Sequence, residues 1–364
     1  AIQSAGPSII LSYLIVGIIS FFMMRALGEL ILADPEQHSF IESVKKYLGN
    51  RMEFVAGWTY WLCWLSLAMA DLTATGIYLK YWFKNLPQWV GPLVIVILLM
   101  LVNMVNVGLF GELESWFSMI KVLAILALII TGLILLIMHT KIDSRTVSLS
   151  NLVNYGGFFP TGSWGFLKSF QMVVFASVGI EIVGLTAGET ANPDKDIPKA
   201  INTLPVRIGL FYVGSMIAIM AVYPWNKIVT TSLYALSRGN NAPKRFGKLS
   251  KKAVPNNALT FSSLILFIVV ILNYIMPAQV FDIISSVSTI NFIMVWIIIM
   301  WTHLKYRAEN KGQLGKFRMP GFPITSWITI IFYLVILVIL ALIPATRLPL
   351  IISIIFILVL ALSY

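Results

Sequence analysis

Ten apolar stretches constrain this chain more than any other feature. They fall at 7–32, 54–79, 89–109, 116–139, 165–187, 204–224, 258–276, 281–304, 323–344 and 348–364. A helix needs about 20 apolar residues to cross the hydrocarbon core of a bilayer. The stretches are continuous rather than alternating, which predicts spanning helices and excludes a β-barrel. Composition agrees: 59% of the residues are hydrophobic and only 11% charged, against about 25% charged in soluble domains. A soluble enzyme, a nucleic-acid binder and a disordered scaffold are therefore excluded. The chain opens inside an apolar segment at Ala1-Ile2, without the pattern of a cleavable signal peptide. The single cysteine, Cys63, excludes internal disulfides and cysteine metal sites. His38, His139 and His303 each sit at the edge of an apolar run, so neither a metal cluster nor a cofactor is expected.

Basic residues orient the spans, because cytoplasmic loops are enriched in lysine and arginine. Lys45, Lys46 and Arg51 place the loop after the first span in the cytoplasm. Alternation then puts 80–88 outside, 110–115 inside, 140–164 outside and 188–203 inside, the last with Lys195 and Lys199. The sixth span ends outside, near Pro224-Trp225. The next loop nevertheless carries Arg238, Lys244, Arg245, Lys248, Lys251 and Lys252. Parity fails there, and the simplest repair is a spanning helix missing near Ile228–Val229. The same parity places Ala1 outside and calls for a preceding helix, for twelve spans in all. The loop 305–319, with Lys305, Arg307, Lys311, Lys316 and Arg318, falls inside. The net charge of +11 is thus a topological signal that faces anionic lipid.

Two short helices are expected beside the spans. Ser39 and Glu42 form a capping box, and Phe40, Ile41, Val44 and Leu48 share one face. That pattern predicts a helix lying on the cytoplasmic membrane surface. A second is expected at Ile197–Asn202, after Asn192-Pro193.

Chemistry concentrates in a few residues. Phe175-Ala176-Ser177-Val178-Gly179-Ile180-Glu181 lies mid-span, with Gly184 and Gly188 following. Either the helix is broken here, freeing backbone groups for a zwitterion, or its glycines only permit close packing. Glu181 is an ionisable group inside the membrane, and such groups face a cavity or a partner. Asp71 shares one helix face with Trp64, Ala68, Thr75 and Tyr78. That face points inward, for a ligand or for a bond to a neighbouring helix. Lys121 either snorkels to the interface or is buried, where it could gain and lose a proton. Ser285, Ser286, Ser288 and Thr289 either line a polar path or bond back to their own helix. Asn103 and Asn106 read as helix–helix contacts and Arg25 as an anchor. Trp82, Trp89, Trp116 and Trp225 read as an interfacial belt.

Several strings together resemble a known family. They are Ala5-Gly6-Pro7-Ser8, Arg25-Ala26-Leu27-Gly28-Glu29-Leu30, Gly57-Trp58-Thr59-Tyr60-Trp61, Gly111-Glu112, Trp116-Phe117 and Ile120-Lys121-Val122. Phe175 to Glu181, Ala187-Gly188-Glu189, Asn192-Pro193, Ile197-Pro198-Lys199-Ala200-Ile201-Asn202 and Tyr223-Pro224-Trp225 complete the set. The chain resembles the bacterial amino acid permeases of the amino acid–polyamine–organocation superfamily, over nearly its whole length. Met69-Ala70-Asp71 and Phe175 to Glu181 look most like the serine/alanine/glycine permeases, including those that accept D-enantiomers; many relatives carry glutamate where Asp71 stands.

The resemblance implies an all-α polytopic fold with a LeuT-like inverted five-plus-five repeat and two extra helices. It implies one transport domain over 1–364, lacking most of helix 1 and helix 8, with Val229–Arg238 similar to the cytoplasmic end of the latter. It implies a sixth helix broken at Phe175–Gly179, and a lysine, Lys121, standing where sodium-coupled relatives hold a sodium ion. Ser177 occupies the position where many relatives carry an aromatic gate, so either that gate is missing here or its role moves to Phe175. The expected function is proton-coupled import of a small neutral amino acid across the cytoplasmic membrane by alternating access. Phe175, Ala176, Ser177, Gly179, Asp71, Ser285, Ser288 and Thr289 are the expected substrate-binding residues, with Lys121 and Glu181 for proton coupling. Two alternatives stay open: an amino acid exchanger, or a truncated chain that does not transport. The sequence sets no oligomeric state.

Overall fold

Segments in hydrocarbon must satisfy their own backbone hydrogen bonds, so the apolar stretches fold as helices. The computed structural model describes residues 2–34, 39–105, 107–142, 145–184, 192–227, 256–277, 279–310 and 315–364. Among these, 8 helices are long and apolar enough to cross a membrane, and two shorter apolar helices, Val90–Leu101 and Leu266–Ile275, accompany them. The chain starts with α1 (Ile2–Ala5), a 3₁₀ turn at Gly6–Ser8, and α2 (Ile9–Leu32). Next come α3 (Phe40–Leu48), α4 (Asn50–Trp82), α5 (Val90–Val105) and α6 (Val107–Ile137). A ribbon of two-residue strands, β1 (Lys141–Ile142) and β2 (Arg145–Thr146), precedes α7 (Gly162–Ala176). Then follow α8 (Pro193–Asn202), α9 (Leu204–Arg207), a π-helical turn at Ile208–Val213, and α10 (Gly214–Val222). The chain closes with α11 (Asn256–Ile275), α12 (Val280–Glu309), α13 (Ile324–Leu342) and α14 (Pro344–Ser363).

The core is built around α12, which is buried along most of its length and packs on α4, α2, α7, α13 and α14. An aromatic chain crosses it from α3 to α13. Ring centroids lie 5.1 Å apart for Phe40–Tyr60, 6.0 Å for Tyr60–Trp64, 5.9 Å for Trp64–Phe292 and 5.4 Å for Trp296–Tyr333. Such pairs add about 0.5–1.5 kcal/mol each beyond burial. The outside is as apolar as the inside: Leu123, Ile130, Leu133, Ile331, Val338, Ile355 and Leu358 are exposed. A surface of that kind fits lipid rather than water.

The structure corrects four expectations. Residues 110–115 continue in α6 instead of forming a loop. Glu112 and Glu114 interrupt the apolar run there, and glutamate is a good helix former. The helix capped by Ser39, whose Oγ accepts from Ile41 N at 3.2 Å, buries Phe40, Ile41 and Val44 against α4 and α12. Its apolar face therefore meets protein, not the membrane surface. Arg25 is tied to Asn202 and to the Arg318 carbonyl instead of anchoring in lipid. Trp225 is half-buried, with its Nε1 donating to the Tyr155 carbonyl at 2.9 Å. The second short helix is present as α8, with Ile197 and Ile201 buried. Asn106, and the basic loop at 238–252 with its junction at 228/229, lie outside the described residues, as does the side chain of Asn103.

Basic segments distant in sequence meet at one end of the bundle. There α3 packs on α12, with Tyr47 and Tyr306 rings 5.6 Å apart, and Lys46 pairs with Asp34 at 2.7 Å. At the opposite end Gln88 joins α11, its Nε2 donating to Asn273 Oδ1 at 2.9 Å and to Pro277 O at 2.8 Å. Gly76 makes that junction possible, because a Cβ there would overlap the Gln88 backbone oxygen. Gly76→Ala is expected to destabilise the protein by about 1–3 kcal/mol, read as a lower detergent melting temperature.

Candidate functional site

The site is built on a break after α7. Helical hydrogen bonding runs regularly to Ala176, then tightens: Ser177 N donates to Val174 O at 2.9 Å and Val178 N to Phe175 O at 3.3 Å. Gly179 has φ +92°, a conformation that glycine adopts at no steric cost. The chain resumes as a 3₁₀ turn at Ile180–Gly184. The break thus falls at 177–179, and Phe175 and Ala176 still belong to the helix, a narrower break than Phe175–Gly179. Two causes are local. Ser177 Oγ bonds back to Val173 O at 2.9 Å, and only Gly179 can turn into the left-handed region.

Buried side chains hold the break in place. Glu181 is fully buried; its Oε1 accepts from Gly179 N at 3.2 Å and its Oε2 from Trp296 Nε1 at 3.1 Å. The carboxylate therefore caps the loosened turn and links it to α12. On the other side, Tyr212 Oη donates to Ala176 O at 3.1 Å, one of the carbonyls that the break releases. Tyr212 sits in the π-helical turn and stacks on Tyr13, with centroids 5.3 Å apart. Phe175 meets Phe281 edge-on at 6.4 Å, and Trp64 of α4 closes over Gly179, where a Cβ would lie 3.6 Å from the indole.

The other expected residues fall at different distances from this point. Ser285, Ser288 and Thr289 are all buried on α12. Ser285 and Thr289 bond back, to Asp282 O at 3.3 Å and Ser285 O at 2.7 Å, while Ser288 reaches Cys63 O on α4 at 3.5 Å. Asp71 is half-buried on α4, two turns beyond Trp64, or about 10 Å along the axis. Lys121 is exposed on α6 and makes no ion pair or hydrogen bond among the described residues. Trp296 and Tyr212 were not anticipated. An indole in an apolar run and a π-helical turn carry no distinctive sequence pattern. Among the described residues no cluster of histidine, cysteine, aspartate and glutamate could hold a metal ion.

Comparison with known proteins agrees with this architecture. The amino acid permease family model matches residues 1–233 and 228–364. The amino-acid permease AapA of Bacillus subtilis (strain 168) is 48% identical over 396 residues, covering 97% of this chain and 86% of the relative. The D-serine/D-alanine/glycine transporter of Escherichia coli (strain K12) is 39% identical over 398 residues, covering 97% and 85%. The DL-alanine permease SerP2 of Lactococcus lactis subsp. cremoris (strain MG1363) is 37% identical over 404 residues, covering 99% and 88%. Each aligned stretch is longer than the 364 residues of this chain, so the relatives carry internal residues that it lacks. The two family matches meet at 228–233, where the loop charges break the parity. Many apolar helices, a broken helix and these likenesses lead to one conclusion: the chain belongs to the amino acid permeases of the amino acid–polyamine–organocation superfamily, multi-pass proteins of the bacterial cytoplasmic membrane with the LeuT-like fold.

Proposed function

We propose that residues 1–364 form one transport domain that imports small neutral amino acids by proton symport with alternating access. Alanine, serine and glycine, with their D-enantiomers, are the substrate class, in line with the names of the relatives. The observation that carries the reading is the break at 177–179, enclosed by α4, α12 and the π-helical turn. The Ala176 carbonyl would take the substrate ammonium, sharing or displacing Tyr212. Ser177 and Gly179 would hold the carboxylate, with Phe175 packed beside the side chain. Small substrates suit a break flanked by Trp64 and by the Phe175–Phe281 pair. Asp71, Ser285, Ser288 and Thr289 would line the path. Of the two coupling candidates, Glu181 touches the break, whereas Lys121 is exposed and makes no hydrogen bond among the described residues. Anionic lipid would face the basic end.

The internal shortfall near 228–233 favours a second reading, a product that folds without transporting. Uptake of radiolabelled L- and D-alanine, serine and glycine into proteoliposomes tests both. An imposed inward proton gradient is expected to drive accumulation of at least one of them. Counterflow without gradient-driven accumulation would make the protein an exchanger. A folded protein with neither activity would establish the second reading.

A further inference from the structure

Arg25 and Glu29 lie one turn apart near the basic end of α2, and both reach residues 315–319, the segment after α12. Glu29 is 1% exposed. Its Oε2 accepts from Met319 N at 2.7 Å and Arg307 Nη2 at 2.8 Å, with His303 Nε2 at 3.1 Å. Arg307 Nε also approaches Oε1 to 2.5 Å, as an ion pair off the line of a hydrogen bond. The strap is thereby fastened to α2 and α12 at Met319. Arg25 makes a different kind of contact. Its guanidinium lies 3.8 Å over the Phe317 ring, donates to the Arg318 carbonyl, and donates to Asn202 Oδ1 at 3.0 Å. Asn202 ends α8, the first helix after the broken segment. Gly28, between the two charged residues, lets Ile201 and Phe317 close on α2, since a Cβ would overlap Ile201 and sit 2.8 Å from Phe317.

We propose that residues 315–318 and Arg25 form a cytoplasmic latch that holds α8 against α2 and releases it when the site opens inward. Two features separate a latch from a static clamp. The pivot is strong, because charged donors and a backbone amide converge on one buried carboxylate. The catch is weak, because a half-exposed arginine holds each partner by a single hydrogen bond and a ring face. Among the described residues α8 is the next helix in the chain after the break, so the catch grips the element that follows the site.

The latch rests on the transport reading only in requiring an inward-open state, and two experiments on the full chain in proteoliposomes separate them. Asn202→Cys with Arg318→Cys, joined by a short bifunctional thiol reagent that dithiothreitol cleaves, is expected to lose uptake about tenfold or more and to regain it on reduction. The single-cysteine variants should transport throughout. Undiminished uptake in fully cross-linked protein would overturn the latch. The second readout needs no transport. Ile197→Cys places a thiol where a 2% exposed side chain sits beneath α2. Adding Arg25→Ala is expected to speed its labelling by a membrane-impermeant maleimide from the cytoplasmic face about tenfold, through local opening. Unchanged protection would show that Arg25 restrains nothing and would overturn the proposal even if the protein proves not to transport.

Discussion

Glu181→Leu is expected to abolish amino acid uptake while the protein still reaches the membrane. Leucine fills much of the same volume and removes the acceptor for Gly179 N and Trp296 Nε1, which lie 3.2 and 3.1 Å from the carboxylate. Each buried donor left unpaired costs about 1–3 kcal/mol. The two together amount to roughly 2–6 kcal/mol, enough to disorder the break without unfolding a bundle whose core is aromatic and aliphatic. Glu181→Gln separates geometry from proton coupling. Its carbonyl can accept one of the two bonds, but the amide carries no exchangeable acid. Glu181→Gln is therefore expected to keep counterflow and to lose accumulation driven by a proton gradient. Lys121→Ala is the companion variant. Lys121 is exposed, and a parental response to external pH in Lys121→Ala would leave Glu181 and Asp71 as the coupling candidates. A Glu181→Leu protein that accumulates substrate like the parent would remove the buried carboxylate from the mechanism.

The parts of this fold that were legible in the sequence are those set by short-range rules. Apolar length marks a span because the bilayer has a fixed thickness. Ser39 marks a helix start because a hydroxyl can reach the free amides of the first turn, and it does so at Ile41 N. The break was legible because Gly179 and Glu181 stand two residues apart in an otherwise apolar run. What stayed hidden depends on partners remote in sequence. Trp296 meets Glu181 across 115 residues, Tyr212 meets Ala176 across 36, and His303 meets Glu29 across 274. No local pattern announces these pairs. The surface helix was misread for a related reason. An apolar stripe states that a face is buried, and α3 buries it against α4 and α12 instead of lipid. The four α12 hydroxyls were ambiguous: Ser285, Ser286 and Thr289 bond back to their own helix, while Ser288 crosses to the Cys63 carbonyl on α4, a partner no local pattern announces.

Gly179→Ala tests the break itself, and its effect is expected to come from backbone strain instead of crowding. A Cβ at Gly179 would stand 3.6 Å from Trp64, an ordinary contact, so a methyl group there meets no clash. The φ of +92° is the obstacle, because L side chains avoid that region at a cost of about 1–2 kcal/mol. Relief of that strain would rotate the Gly179 amide away from Glu181 and redirect the turn at Ile180–Gly184. Binding groups displaced by as little as about 1 Å lose function steeply, so uptake is expected to fall by at least about tenfold. Gly162→Ala supplies the control. Gly162 also has a positive φ, +67°, and a methyl group there would meet no atom within 4 Å, but it lies at the start of α7, away from the break. Both variants carry a comparable backbone penalty, so comparable losses of thermal stability are expected. Only Gly179→Ala is expected to lose transport. Equal uptake by the two would mean that the left-handed turn at 177–179 serves folding alone, and substrate would have to be sought along the Asp71 face of α4.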